Sequence, residues 1–399
     1  MKLIQTLIVA SLMFALTVPA LQAANTAPIH LFNRLRIGYD DNVYQGDDSA
    51  AHPKQDSFRI IEELQLMVNL NLQRTYLGLR YQPSVIWYSD REEDDIDFLH
   101  NLDVNFIHNF SPSLTLSLSD TLRYSQLPEL VDGDYLVRSN DDNLVNSFFA
   151  TLSYRIQPTT RIDLSGRSVM VRYLNDADTE EDNNYYTIVG GLTVRQQLAS
   201  LTTVNADLRY QVVTYDEAAV GRQRDSESIF AGLGLEQTFV PQLIGTFRAG
   251  VEARTYELDA YDDQTEPYGE ASLTFLPSPS TRITAAASYS IYESDVANYL
   301  AQNRTYLSLS LAHDFTARLS FYLSSGFTLS NYEADYALDR TLEDADENSY
   351  LVSARLAYRV GRINWLEAGW QFVKLDSDVR NRVEYDRNRF DIGWKVQLF

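Results

Sequence analysis

Hydrophobic and polar residues alternate with a period of two along most of the chain. In the stretch FRIIEELQLMVNLNL, residues 58–72, nearly all apolar side chains share one parity, and Glu62 is the one charge among them. This alternation predicts a β-strand with one apolar face and one wet face. The pattern recurs at 77–87, 148–156, 204–212, 319–329 and 350–358, and no segment sustains a helical period. The sequence therefore predicts an all-β protein.

The connections between these segments are of two kinds that take turns along the chain. Tight connections include SPS at 111–113, PQ at 241–242 and GR at 361–362, whereas the others are long and acidic, such as DREEDDID, NDADTEEDNN and EADYALDRTLEDADEN. This asymmetry is typical of outer-membrane barrels, which have short periplasmic turns and long extracellular loops. The alternative is a soluble β-sandwich, which has no reason to make every second connection long and acidic.

The strands implied by these connections number about eighteen. They are predicted at 31–44, 57–72, 75–90, 97–110, 113–127, 144–156, 160–175, 185–197, 202–215, 227–239, 242–259, 267–276, 280–293, 302–315, 317–333, 347–360, 362–376 and 385–398. An even number of strands leaves both termini of the chain on the periplasmic side and places every long loop outside the cell. We therefore predict a transmembrane antiparallel up-and-down β-barrel over residues 24–399.

Aromatic side chains gather near the predicted strand ends, as they do in the interfacial girdles of membrane barrels. The extracellular set is Tyr39, Trp87, Tyr124, Tyr173, Tyr210, Tyr289 and Trp370, and the periplasmic set is Tyr154, Phe239, Phe275, Phe315 and Tyr358.

The first residues have the features of a secretory signal peptide. Lys2 precedes the apolar run LIVASLMFALTVPA, and small residues follow at Ala23 and Ala24. We predict a signal peptide over residues 1–23, which directs the chain out of the cytoplasm and to the bacterial outer membrane. Later in the chain no apolar run reaches the ~20 residues that a transmembrane helix needs.

Composition narrows the choice of partners and chemistry. The chain has no cysteine, so neither disulfides nor thiolate metal sites are expected. Its formal net charge of -22 argues against a nucleic-acid partner, because phosphate neutralisation needs an excess of Lys and Arg.

The strand positions that alternate with the apolar ones, and so form the polar side of each strand, carry many arginines and fewer acids. The predicted lumen-lining arginines are Arg59, Arg80, Arg123, Arg155, Arg195, Arg209, Arg248, Arg254, Arg282, Arg304, Arg318, Arg355 and Arg359, together with Arg34 and Arg36. The acids on this parity are Glu63, Asp103, Asp207, Glu236, Glu252, Glu270, Asp314 and Glu367. A positive wall suits anions, because Arg forms forked hydrogen bonds with carboxylates and phosphates. Alternatively, these arginines only pair with lumen acids and stiffen the wall.

On this view the lumen favours anions, and charge reversal at Arg248, Arg318 and Arg355 is expected to weaken the preference. Asp120 and Arg172 fall on the apolar parity, which predicts local bulges in their strands.

No catalytic, cofactor or metal site is predicted. The five histidines, at 30, 52, 100, 108 and 313, have no metal-ligand spacing, and nothing pairs a nucleophile with a base. The acidic loops could bind Ca²⁺ or Mg²⁺, since oxygen ligands suit these ions, but solvated loops are the favoured interpretation.

The stretch GYDDNVY, Gly38 to Tyr44, at the end of the first strand resembles the β-barrel porins of the second type, and the resemblance extends over the whole mature chain. The terminal Phe399 also resembles the signal that the barrel-assembly machinery reads, although a bulge is needed to put it on the parity of Phe390 and Ile392. The resemblance implies an outer-membrane channel, and some members of the family resemble exporters of exopolysaccharide. It implies as partners outer-membrane lipid and lipopolysaccharide, the assembly machinery, a periplasmic polysaccharide-export protein and an anionic glycan as substrate.

Three functions remain open at this point. The first is polysaccharide export through the Arg-rich lumen. The second is general or anion-selective diffusion of small solutes, and the third is a structural or adhesion barrel whose acidic loops bind at the cell surface.

Overall fold

The structure is a computed structural model that describes residues 28–91, 95–125, 130–132, 135–137, 142–174, 183–216, 224–296, 298–336 and 340–399. The predicted signal peptide, residues 1–23, lies outside the described residues, as do parts of several predicted loops. No helix in these ranges is both long and apolar enough to cross a membrane.

The described chain forms twenty β-strands. They are β1 Ile29–Asp40, β2 Ser57–Asn71, β3 Thr75–Tyr88, β4 Ile96–Ser111, β5 Leu114–Ser125, β6 Leu130–Asp132, β7 Tyr135–Val137, β8 Asn143–Gln157, β9 Thr160–Tyr173, β10 Tyr185–Ala199, β11 Thr202–Tyr215, β12 Ser226–Val240, β13 Leu243–Tyr256, β14 Gln264–Ser278, β15 Thr281–Glu293, β16 Tyr299–Asp314, β17 Leu319–Ala334, β18 Ala345–Arg359, β19 Asn364–Ser377 and β20 Tyr385–Gln397.

Eighteen of these strands form one closed antiparallel barrel, which confirms the predicted fold. Each strand pairs with the next along the chain, and β1 closes the ring by pairing with both β2 and β20. β6 and β7 form a separate hairpin within the long connection between β5 and β8. The barrel strands have 12 to 16 residues, more than the ~9–11 needed to cross a bilayer, so they extend beyond it.

The seam between β1 and β20 is fastened by the GYDDNVY stretch. Asp40 bonds Arg387 through both carboxylate oxygens, at 2.8 and 2.6 Å, and also bonds Arg389 at 3.1 Å. Asp41 accepts from the backbone and the side chain of Asn388. The Asn42 amide donates to the carbonyl of Asp386, at 2.9 Å, on the same side of the seam. The motif therefore joins the first strand to the last, where no turn connects them.

Alternation along the strands separates an inner from an outer face. Apolar side chains on the outer face are widely exposed, with Ile37 at 63 %, Leu233 at 70 % and Ile392 at 73 %. Of the predicted aromatic girdle, Tyr173 is an exception, because it lies on the inner face and is buried in a cluster with Val171 and Tyr185.

The C-terminal residues leave the regular ladder, as predicted for Phe399. The Leu398 amide donates to the carbonyl of Leu31, while the Leu31 amide reaches the carbonyl of Phe399 instead of that of Leu398. This one-residue shift leaves Leu398 buried and Phe399 44 % exposed.

Candidate permeation pathway

The strand registers place the thirteen predicted arginines on the inner side of the barrel, with Arg318 in the turn before β17. Arg59, for instance, lies opposite Gly38, and Arg355 lies opposite Tyr322 and Gly369. A Cβ on Gly38 would approach the Arg59 Nε to 3.0 Å and a backbone oxygen of β20 to 2.7 Å. Glycine is therefore needed at position 38 for Arg59 to lie flat against β1.

One group of these arginines is ion-paired, as the structural alternative proposes. Arg195 contacts Asp163 and Glu236, and Arg248 contacts Asp207 at 3.3 Å and Glu270 at 3.4 Å. The other paired members are Arg34, Arg36, Arg80, Arg209 and Arg254. In this group the guanidinium charge is offset by neighbouring carboxylates.

A second group has no ion pair with any residue that the structure describes. Arg282, Arg318 and Arg355 make no side-chain hydrogen bond or ion pair within the described residues, and all three are exposed to the lumen. Arg59, Arg123 and Arg155 are likewise without an ion pair in that part of the chain. Arg359 donates to the carbonyl of Gly361. Arg304 belongs to neither group: it has partners, among them the Tyr292 ring, whose centroid lies 3.6 Å from the guanidinium.

Two cavities on one side of the lumen are lined by four of the arginines without an ion pair among the described residues, namely Arg59, Arg282, Arg318 and Arg355. A cavity of about 650 Å³ near the periplasmic end has five cations, Arg34, Arg318, Arg355, Arg359 and Lys395, and two acids, Asp314 and Glu367. A cavity of about 600 Å³ above it has Arg36, Arg59, Arg282, Arg355 and Arg389 against Glu63 and Asp391. This side of the lumen, formed by β15–β20 and β1–β4, therefore carries a clear excess of positive charge.

The opposite side of the lumen is nearly balanced. A cavity of about 990 Å³ along β5 and β8–β16 has five arginines, Arg161, Arg167, Arg195, Arg209 and Arg248, and four acids, Asp163, Asp207, Glu236 and Glu270. The excess of positive charge is thus larger on one wall, which we call the basic wall and define by Arg282, Arg318 and Arg355, the three exposed arginines without an ion pair among the described residues.

Several lumen cations were absent from the set predicted from the sequence. They are Arg161, Arg167, Arg387, Arg389 and Lys395. Arg161 and Arg167 share the parity of Asp163 and could have been found by the alternation rule alone. The three cations of β20 were obscured because the terminal Phe399 left the parity of that strand ambiguous.

The extracellular half of the lumen is filled by packed side chains. Inner-face residues at this end are buried in nearly every strand, and three of the predicted lining residues, Arg59, Arg254 and Arg304, are at most 6 % exposed. These three arginines lie on the inner side of the wall, but they are buried in packed side chains and do not face open space. Loop residues fold inward over them, including Val43 in one apolar cluster and Leu342 and Val379 in another.

Two loop arginines fasten this packed layer. Arg382, between β19 and β20, contacts Asp295 at 2.9 Å and Glu347 at 3.1 Å. Burial works to lower the Arg382 pKa, but the two carboxylates outweigh it and hold the pKa well above its ordinary value. Arg224, before β12, is 4 % exposed and donates to the carbonyl of Tyr299, the first residue of β16, at 3.1 Å. We call the inner-face residues and the loops over them the outer layer.

Asp120 and Arg172 are the two charged residues that fall on the apolar parity of their strands. The bulges predicted for them are absent, and their positions have different explanations. β5 pairs regularly with β8 throughout, so Asp120 does face outward, where it accepts a hydrogen bond of 2.9 Å from Asn146. Arg172 lies one residue from the extracellular end of β9 and forms an ion pair with Asp216.

Three of the five histidines lie on the outer surface of the barrel. His108 and His313 bond Thr75 and Thr281 at 2.8 Å near the periplasmic turns, and His100 bonds Tyr81 at 2.8 Å. Among the residues that the structure describes, no three His, Asp or Glu side chains converge in a way that would hold a metal ion.

A closed antiparallel wall with an apolar outside, an arginine-lined interior and long loops at one end defines the outer-membrane β-barrel porins. The model of the family described as Putative beta-barrel porin 2 matches residues 33–398, and the chain belongs to this family. A search of curated proteins found no match.

Several solved porins have similar structures. OccAB3 of Acinetobacter baumannii is 12 % identical, with a TM-score of 0.45, and the match covers 92 % of this chain and 99 % of that one. OccK2 (OpdF) of Pseudomonas aeruginosa is 10 % identical, with a TM-score of 0.47 and coverage of 93 % and 98 %. A BenF-like porin from Pseudomonas fluorescens Pf-5 is 11 % identical, with a TM-score of 0.47 and coverage of 92 % and 98 %.

Proposed function

We propose that this protein is a diffusion porin that favours small anionic solutes. The observation that carries the proposal is the basic wall, where three exposed arginines have no ion-pair partner among the described residues. Arginine side chains lining a pore favour anions, and a low-dielectric barrel wall focuses their field on the aqueous lumen.

The packed outer layer adds a condition to this function. A solute can cross only when the outer layer rearranges, since the inner face is buried at the extracellular end. The acidic loops repel anions at the outer mouth, but the basic wall lines the cavities below the outer layer, through which a solute must also pass. We therefore infer a channel that is closed at its outer end in this conformation and selects anions once it opens.

Export of a polysaccharide rests on the family resemblance alone. The comparisons lend it no support, and diffusion of small solutes fits a porin family better. A polymer would also need the whole outer layer to be displaced while it passed. The predicted periplasmic export partner and anionic glycan substrate belong to this less favoured function.

Solute uptake by proteoliposomes tests the proposal. An uncharged hexose, its sugar acid and its amino sugar have nearly the same size and differ mainly in charge. We expect the sugar acid to enter fastest and the amino sugar slowest, with the difference shrinking as salt rises, because the Debye length falls from about 10 Å at 0.1 M to 3 Å at 1 M. Faster entry of the amino sugar would contradict the proposal.

A further inference from the structure

Two acidic residues interrupt the apolar outer face of the barrel. Among outward-facing strand positions in the described ranges, Glu62 and Asp120 are the acids that lie in a strand interior, each five residues from the extracellular end of β2 or β5. Other outward-facing charges, such as Arg172 and Glu227, lie within three residues of an extracellular end, where water is near.

Each of the two acids has an asparagine on the neighbouring strand. The Asn33 amide of β1 donates to Glu62, and the Asn146 amide of β8 donates to Asp120 at 2.9 Å. We call these four residues the polar face. All four residues are partly exposed and belong to the surface that contacts the membrane.

Contact with lipid acyl chains is unfavourable for the polar face. Acyl chains offer no hydrogen bonds, and an ionisable side chain at membrane depth is costly unless another polar group meets it. The other twelve barrel strands, β9 to β20, carry no acid at the same depth on the outer face within the described chain, where most residues are apolar or small, apart from a few hydroxyls and the Asn303 amide of β16. The polar face is therefore a local feature of one sector, which is expected of a protein contact.

The order of the four residues around the barrel is symmetric. It runs amide, carboxyl, carboxyl, amide from β1 to β8, with β3 and β4 in the middle. Glu62 and Asp120 are separated by three strand spacings, roughly 14 Å at about 4.8 Å each. Each lies four residues below an outward aromatic residue, Phe58 or Tyr124, which places the two acids at similar depth.

We propose that the polar face is the contact between two copies of this chain related by a two-fold axis along the membrane normal, near β3 and β4. Such a contact is isologous, so the Glu62 and Asn33 pair of one copy faces the Asp120 and Asn146 pair of the other. The amides of each copy donate across the contact, and the facing carboxyl groups can share one proton, as close carboxylate pairs do.

The absence of cysteine allows a direct test by crosslinking in outer-membrane preparations of the full chain. Leu102→Cys, on the outer face of β4, lies next to the proposed axis and should form a disulfide with its own copy on oxidation. Leu307→Cys is the matched control, because it is also outward-facing but lies on β16, on the far side of the ring. We expect a dimer band from Leu102→Cys and none from Leu307→Cys.

Two further variants separate a specific contact from chance collisions. In the Leu102→Cys background, Glu62→Leu with Asp120→Leu should abolish the dimer band, whereas Glu62→Gln with Asp120→Asn keeps the polar groups and should retain it. Retained heat-modifiable migration shows that the barrel is folded, and apolar residues suit the outer face. Monomer in every variant, a dimer that survives both leucines, or a crosslink to a different protein would each overturn the proposal.

Discussion

At the scale of single residues, burial decides what each ion pair contributes. Asp40 is fully buried at the seam and is the carboxylate shared by Arg387 and Arg389, which are 2 % and 5 % exposed. The Arg80 and Asp103 pair lies in the open lumen, with the Arg80 side chain 46 % exposed. Solvent screens the second pair but not the first.

We therefore expect Asp40→Ala to destabilise the barrel by about 3–5 kcal/mol, because it leaves two buried guanidinium groups uncompensated. Asp103→Ala, the matched control, should cost no more than about 1 kcal/mol, as exposed pairs usually do. Urea unfolding in detergent, followed by loss of heat-modifiable migration, measures both changes. Equal effects of the two substitutions would show that Asp40 does not hold the seam.

At the scale of strands and loops, the alternation rule found the eighteen barrel strands and assigned most, but not all, of the lumen arginines to the inner face. Both follow from a local period of two. It could not tell which arginines are paired, because pairing depends on register across strands: Arg34 meets Glu367 of β19 across the seam. Nor could it find the outer layer, because loops fold inward through contacts such as that of Arg224 with Tyr299, 75 residues apart.

Because pairing could not be predicted from the alternation, the variant proposed to test selectivity has to be changed at one of its three positions. Charge reversal at Arg248 was expected to act together with Arg318 and Arg355, but Arg248 already contacts Asp207 and Glu270. Arg282 has no such partner in the described chain and is exposed to the lumen, so it replaces Arg248 among the residues that set selectivity.

The loop between β19 and β20 should control the opening of the outer layer. Because a guanidinium stays charged throughout the usable pH range, Arg382→Gln removes a permanent link to Asp295 and Glu347. We expect longer or more frequent open events in single-channel recordings. Arg340→Gln is the control, since Arg340 is an exposed loop arginine. Unchanged gating in Arg382→Gln would show that the outer layer is fastened elsewhere.

At the scale of the whole molecule, orientation follows from the loops. Asp95, in the connection between β3 and β4, lies at the end with long loops, and Ser278, before the turn to β15, lies at the end with short ones. A membrane-impermeant maleimide applied to intact cells should label Asp95→Cys but not Ser278→Cys. Lysed cells supply the control in which both are reached. Labelling of Ser278→Cys but not of Asp95→Cys in intact cells would show that the barrel has the opposite orientation.

The charge of the whole chain, -22, is opposite in sign to that of the basic wall. The sign of the ion selectivity therefore shows which charges dominate. Anion selectivity indicates that the basic wall dominates, and cation selectivity indicates that the acidic loops dominate. Neutralising the basic wall with Arg282→Gln, Arg318→Gln and Arg355→Gln together should weaken anion preference. Arg248→Gln with Glu270→Gln is the control, because it removes a lumen arginine without changing the net charge of the lumen.

The reversal potential of the reconstituted protein under a potassium chloride gradient at low salt is the most direct measurement of this account. We predict the sign of an anion-selective channel for the unmodified protein and for the paired control, and a shift toward the cation-selective sign in the triple variant. A cation-selective sign in the unmodified protein, or a triple variant with the same reversal potential as the unmodified protein, would contradict the central claim that the basic wall selects the solute.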